Sequence, residues 1–162
     1  MESKIKILIV DDEIAFLNSI ARRLELRDFD VTKATCGDEA LKIVSDNKFD
    51  LALIDLKMPG MSGQELLKIL KSEHRYLEVI VLTGHGSFES AVQCTKLGAH
   101  SYLPKPYELD QLIELLISAY RTRLQKKFEN DMVRISKIQQ IAAGESALGI
   151  LRTLRELDDD EK

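Results

Sequence analysis

Five short apolar runs punctuate the first two thirds of the chain, and a segment of helical periodicity follows each one. The runs are Ile5–Val10, Val31–Ala34, Leu51–Ile54, Val79–Leu82 and Ser101–Leu103. They are rich in β-branched residues, and most are nearly continuous in apolar character, as in strands covered on both faces. A helix is predicted over about Ile14–Arg27, with Ile14, Leu17, Ile20, Ala21 and Leu24 on one face. A shorter one over about Asp38–Asp46 buries Ala40, Leu41 and Val44. Lys57–Gly63 holds one proline and two glycines and reads as a tight turn. Ser62 with Glu65 three residues on forms a capping box for a helix running to about Ser72. Further helices span about Phe88–Leu97 and begin near Glu108. Strands alternating with helices of this length predict βαβ units with right-handed crossovers. The expected fold is α/β: a doubly wound, five-stranded parallel (βα)5 sheet with helices on both faces.

The last helix carries a second message. No Gly or Pro interrupts Glu108–Ala143, so a continuous helix would be ~54 Å long at about 1.5 Å per residue. Leu112, Leu116, Tyr120, Leu124 and Phe128 recur every four residues, and Ile135, Ile138 and Ala142 continue the stripe. Beyond Tyr120 no sheet is expected beneath it. After Gly144, a second amphipathic segment at about 146–157 puts Ala147, Ile150, Leu151, Leu154 and Leu157 on one face. The chain therefore divides into an α/β domain, residues 1–120, and a helical extension, residues 121–162. A lone amphipathic helix is marginal in water, so the stripe needs a hairpin mate, a second subunit or another protein.

Composition narrows the class. The chain has 162 residues, 44% hydrophobic and 31% charged, with a net charge of −4. Residues 1–120 carry 14 basic and 19 acidic side chains, whereas 121–162 carry 9 and 8. An acidic body disfavours nonspecific DNA binding by the main domain. No run approaches the roughly 20 apolar residues of a membrane helix, and the N-terminus lacks a signal-peptide core, so a cytoplasmic protein is expected. Cys36 and Cys94 fit neither a CxxC pair nor a zinc spacing and read as small semi-buried thiols.

Chemistry enters at the strand ends. Ile5–Val10 runs into Asp11-Asp12, Leu51–Ile54 into Asp55, Val79–Leu82 into Thr83, and Ser101–Leu103 into Pro104-Lys105-Pro106. Ligands of open α/β sheets bind at the carboxyl edge of the strands. Taken singly, each residue reads as a cap or a turn. Together, three carboxylates, a hydroxyl and a lysine form a site for a divalent cation and a phosphoryl group. Magnesium takes hard oxygen ligands, including one or two carboxylates and phosphate oxygens. Asp55 could then act as a nucleophile, with Thr83 and Lys105 on the transferring oxygens.

These segments resemble the receiver domain of two-component response regulators. Ile7–Glu13 is similar to the family's acidic motif and Leu53–Gly63 to its phosphoacceptor motif. Val81–Gly86 and Tyr102–Pro106 complete the set. The wording Thr83-Gly84-His85-Gly86 most resembles receivers of nitrogen-regulation-type activators, whose ATPase domain is not expected in a chain of this length. The resemblance implies a flavodoxin-like receiver phosphorylated on Asp55. Asp12 would ligate magnesium directly, Asp11 through water, and Lys57 through its backbone carbonyl, beside Asp55 itself. Thr83 and Lys105 would bind the phosphoryl group. Tyr102 would be the aromatic switch partnering Thr83, and Lys105–Pro106 a cis peptide. Lys57 and His85, each two residues past a site residue, would gate water to the acyl phosphate. His74 and His100 read as surface residues. The only chemistry expected is Mg-dependent self-phosphorylation and autodephosphorylation, with a sensor histidine kinase as phosphodonor.

Two outputs compete for the extension, beside a third possibility in which the long helix folds back onto the receiver with no partner. It could control self-association, as a homodimer, or an unknown downstream protein. Alternatively, Ile138–Leu157 could form a minimal helix-turn-helix with Arg152 and Arg155. The acidic run Asp158–Glu161 beside it would repel DNA phosphate and disfavours the second reading.

Overall fold

The computed structural model describes residues 3–84 and 86–143, together with Gly149, Arg152 and Arg155. The strands are β1 (Lys6–Val10), β2 (Asp30–Ala34), β3 (Leu51–Ile54), β4 (Glu78–Thr83) and β5 (Ser101–Pro104). Alternating with them are α1 (Ile14–Glu25), α2 (Gly37–Asp46), α3 (Gly63–Glu73), α4 (Phe88–Lys96) and α5 (Leu109–Ala142). The strands form one all-parallel sheet in the order β2-β1-β3-β4-β5. This is the doubly wound (βα)5 arrangement that the alternation predicts.

The strands are almost wholly apolar because the sheet is covered twice, and alternate residues serve opposite faces. Leu8, Val10, Ala52, Ile54, Val79 and Val81 pack with Ala40 and Val44 of α2 and Leu66, Leu67 and Leu70 of α3. Ile7, Ile9, Leu51, Leu53, Ile80 and Leu82 pack instead with Leu17, Ile20 and Leu24 of α1 and Leu112, Leu116 and Ala119 of α5. Ile14 does not join its predicted face. It is the first residue of α1 and stands 62% exposed, because the core-facing stripe begins only with the next turn. α3 starts at the predicted capping box: Ser62 Oγ accepts from the Glu65 N–H at 3.2 Å, and the Glu65 carboxylate accepts from the Ser62 N–H.

α5 is one helix of 34 residues, about 51 Å long. The four-residue stripe read from the sequence does not keep to one side of it. A step of four residues overshoots a 3.6-residue turn by about 40°, so the stripe winds around the axis. Leu112 and Leu116 are buried, Tyr120 is half-buried, and Leu124 and Phe128 face solvent. The side that does follow the body past Tyr120 is basic. Arg123 Nε lies 3.0 Å from Asp50 Oδ1, and its Nη1 donates to the Tyr76 carbonyl at 2.6 Å. Lys126 Nζ lies 2.6 Å from Glu78 Oε1. Glu78, at 1% exposure, opens β4 on the amino edge of the sheet. The extension is thus pinned to the amino edge of the sheet by two ion pairs. Near the same edge His100 is half-buried rather than superficial, and burial lowers its pKa from the ordinary imidazole range. The second amphipathic segment, about 146–157, lies largely outside the described residues.

A buried carboxylate stripped of its partner is costly. Lys126→Met should therefore destabilise the fold by about 1–2 kcal/mol, less than for a fully buried pair because the ammonium is half in solvent. Likewise, a chain ended after Tyr120 should unfold at lower urea than one ended after Glu129. Equilibrium urea titration followed by circular dichroism reads both.

Candidate functional site

Strand register brings the acidic residues together. Val10 lies opposite Ile54, so the next residues, Asp11 and Asp55, emerge side by side from the two central strands. The N–H of Asp55 donates to the Val10 carbonyl at 3.0 Å, and that of Asp11 to the Ala34 carbonyl at 3.1 Å. Carboxylate oxygens of Asp11, Asp12 and Asp55 all lie within 4.8 Å of one another. Asp11 and Asp55 are buried, whereas Asp12 is exposed at the mouth.

Each buried carboxylate is oriented by backbone. Asp11 Oδ1 accepts from the Glu13 N–H and Asp55 Oδ1 from the Leu56 N–H, both at 2.9 Å. Lys105 Nζ completes the cluster, 2.7 Å from Asp11 Oδ2. The lysine stem is steered by aromatics that the sequence reading did not single out. Its ammonium sits 3.7 Å from the centroid of the Phe16 ring, and Phe16 packs edge-on against Tyr107. Burial raises the pKa of Tyr107. The Lys105–Pro106 peptide is cis.

On the β4–β5 side, Thr83 is buried opposite Pro104, and its carbonyl accepts the Lys105 N–H at 2.9 Å. Tyr102 is half-buried two residues earlier on β5, with its hydroxyl 3.0 Å from Ser90 Oγ on α4. Gly86 lies against the hydroxyl end of that ring, and a Cβ there would overlap the Tyr102 hydroxyl. Ser90 lies outside the motifs read from the sequence, and the reason for glycine at 86 within its motif is visible only once the fold brings it to Tyr102. The Lys57 side chain is exposed, and His85 lies outside the described residues.

The donor set fits a hard divalent cation. It offers three carboxylates converging from two strand ends, two of them buried, with no sulfur or imidazole ligand in the group. Such a cation would offset the mutual repulsion of the three acids.

The response regulator receiver domain family matches residues 7–117, and the chain belongs to that family. The NtrX-like response regulator of Rickettsia conorii is 34% identical over 132 residues, 80% of this chain and 28% of that protein. The DNA-binding transcriptional regulator NtrC of Escherichia coli strain K12 is 35% identical over 122 residues, 74% of this chain and 26% of that protein. The chain thus spans little more than a quarter of these curated relatives. Among solved structures, the response regulator TrrA of Thermotoga maritima, in complex with Mg(2+)-BeF, is 28% identical with a TM-score of 0.66, and the match covers 71% of this chain and 98% of that one. Receiver domains are modules of phosphorylation-dependent two-component signalling and bind Mg2+ at their acidic pocket. No helix among the described residues is long and apolar enough to cross a membrane.

One glycine holds the site in shape. The Gly63 N–H donates to the Leu56 carbonyl at 2.8 Å, and a Cβ on Gly63 would overlap the Asp55 carbonyl oxygen. Gly63→Ala should therefore push the Asp55 loop outward, cost about 1–3 kcal/mol by overpacking, and weaken Mg2+ binding. Urea unfolding and a magnesium titration of the intact protein measure the two effects.

Proposed function

We propose that this chain is a phosphorylation-activated response regulator in which Asp55 accepts the phosphoryl group. The convergence of three carboxylates and Lys105 at the strand ends supports this reading most directly. Asp55 is the acceptor because it directly follows the central strand and one of its oxygens is fixed by the Leu56 N–H, leaving Oδ2 to attack. Asp11, Asp12, Asp55 and the Lys57 carbonyl would hold Mg2+, which supplies charge neutralisation to the transferring oxygens when bound. The donor is the phosphohistidine of a sensor histidine kinase, or a small acyl phosphate. The carboxylate oxygen forms the new P–O bond, the P–N bond breaks, and the imidazole leaves with the electron pair and takes up a proton. Lys105 then exchanges Asp11 for a phosphoryl oxygen, while the Thr83 hydroxyl donates to another. Hydrolysis by water at phosphorus regenerates Asp55, a step that Lys57 and His85 would tune. Beyond this self-phosphorylation and autodephosphorylation no enzyme activity is assigned.

The signal leaves by β5. When Thr83 turns toward the phosphoryl group, Tyr102 exchanges its Ser90 contact for a more buried position, and the α4–β5–α5 surface changes with it. This is a population shift between two arrangements that the phosphoryl group binds unequally. Residues 1–120 form the receiver, and 121–162 the helical extension that carries the output. That output is control of self-association or of a downstream protein in the cytoplasm. The helix-turn-helix reading gains no support here, since most of its second helix lies outside the described residues.

Incubated with Mg2+ and acetyl phosphate, the wild-type protein should gain the mass of one phosphoryl group by intact-protein mass spectrometry, and Asp55→Asn should gain none. Retention of an alkali-labile phosphate on Asp55→Asn would overturn the assignment. Lys105→Ala should still bind Mg2+ but lose the change in Tyr102 fluorescence on beryllofluoride addition. An unchanged response would remove Lys105 from the coupling.

A further inference from the structure

The outward face of α5 carries a seam that the sequence stripe obscured. Ile117, Arg121, Leu124, Phe128, Asp131, Ile135 and Ile138 are spaced alternately four and three residues apart, the a/d spacing of a two-helix seam. All seven are exposed, Phe128 at 64%. They lie about 130° round the axis from Leu112, Leu116, Ala119, Arg123 and Lys126, the side that faces the body. The seam therefore remains open along α5 while the helix is fully seated. Only two of its positions are charged, and they carry opposite charges. Neither Arg121 nor Asp131 forms an ion pair among the described residues, and at ten residues apart, about 15 Å, they cannot meet within one helix.

We infer that this face docks against a second copy of the chain in antiparallel orientation, with the two-fold axis at Lys126. Residues placed symmetrically about that point face one another across an isologous contact. Ile117 then faces Ile135 of the second copy, and Leu124 faces Phe128 of the second copy. Arg121 faces Asp131 of the second copy, and each pairing occurs twice. The apolar residues from Ile117 to Ile135 thereby meet apolar partners, and both charges are compensated. In the parallel alignment Arg121 would meet Arg121 and Asp131 would meet Asp131, which places like charges at two layers of the seam. The charge pattern thus selects both the partner and its direction. The inference rests on the self-association branch of the proposed output.

The test is sedimentation equilibrium on the full chain. The wild type should dimerise, and Arg121→Glu or Asp131→Lys alone should weaken the dimer by about tenfold or more, since each places two like-charge contacts in the antiparallel seam. The double variant Arg121→Glu/Asp131→Lys should regain the wild-type dimer, because the reversed charges again face each other. In a parallel seam the double variant gains nothing over the singles. Both side chains are exposed, so helix content by circular dichroism should stay constant across the series. A dimer indifferent to both single changes, or a double variant as weak as the singles, overturns the antiparallel seam while leaving self-association standing. A wild type that stays monomeric with and without Mg2+ and beryllofluoride overturns self-association itself.

Discussion

Three carboxylates held within 4.8 Å of one another are the constraint around which this protein is organised. At an effective dielectric of about 20, a pair of like charges at that separation repels by roughly 3–4 kcal/mol. Such an arrangement persists only where stronger structure imposes it. The imposing structure is the pair of central strands: Asp11 and Asp55 follow residues matched in register, and their backbone N–H groups are committed to the neighbouring strands. Lys105 neutralises part of the charge, with its ammonium over the Phe16 ring. The repulsion is also what makes the site useful. A group of acids that cannot relax suits a divalent cation, and the exposed Asp12 opens the buried pair to solvent at the mouth of the site.

The opposite edge of the sheet solves a different problem with the same chemistry. Glu78 and Asp50 sit where β4 and β3 begin, and their partners come from α5. α5 is therefore attached at two levels, by apolar packing at Leu112, Leu116 and Ala119 and by ion pairs at Arg123 and Lys126. Under the proposed switch, a displacement of its first turns would be carried along this single helix to the residues beyond the sheet.

The legible part of this protein was the part set by local pattern. Continuous apolar runs gave the parallel sheet, and the polar residue closing each run gave the site, because backbone register alone decides where those residues emerge. The Ser62–Glu65 cap was likewise readable, being confined to four residues. What escaped depended on geometry that sequence spacing does not carry. Ile14 matched the helical period yet falls outside the covered length of α1. The α5 stripe was counted in fours, whereas the helix turns in 3.6, so residues that appear aligned wind from core to solvent. Glu78 follows Leu77 and precedes four apolar residues, so it could be recognised as buried, but its partner lies forty-eight positions away. Phe16 and Ser90 gain their roles only through contacts with Lys105 and Tyr102 across the fold.

The two faces of α5 also constrain how a signal can be used. The body-facing side and the seam lie on one rigid helix, so the seam cannot reorient without shifting the contacts that seat it. The proposed two-fold axis falls at Lys126, the residue whose ammonium holds Glu78. The central layer of an antiparallel pair, Leu124 against Phe128, would thus lie on the turn that is ion-paired to β4. Thr83 ends the strand that Glu78 begins, so the proposed switch and the Lys126 ion pair share β4. If the proposed phosphorylation and the proposed seam both act on this element, the two are thermodynamically linked. By linkage each favours the other to the same degree, or opposes it to the same degree.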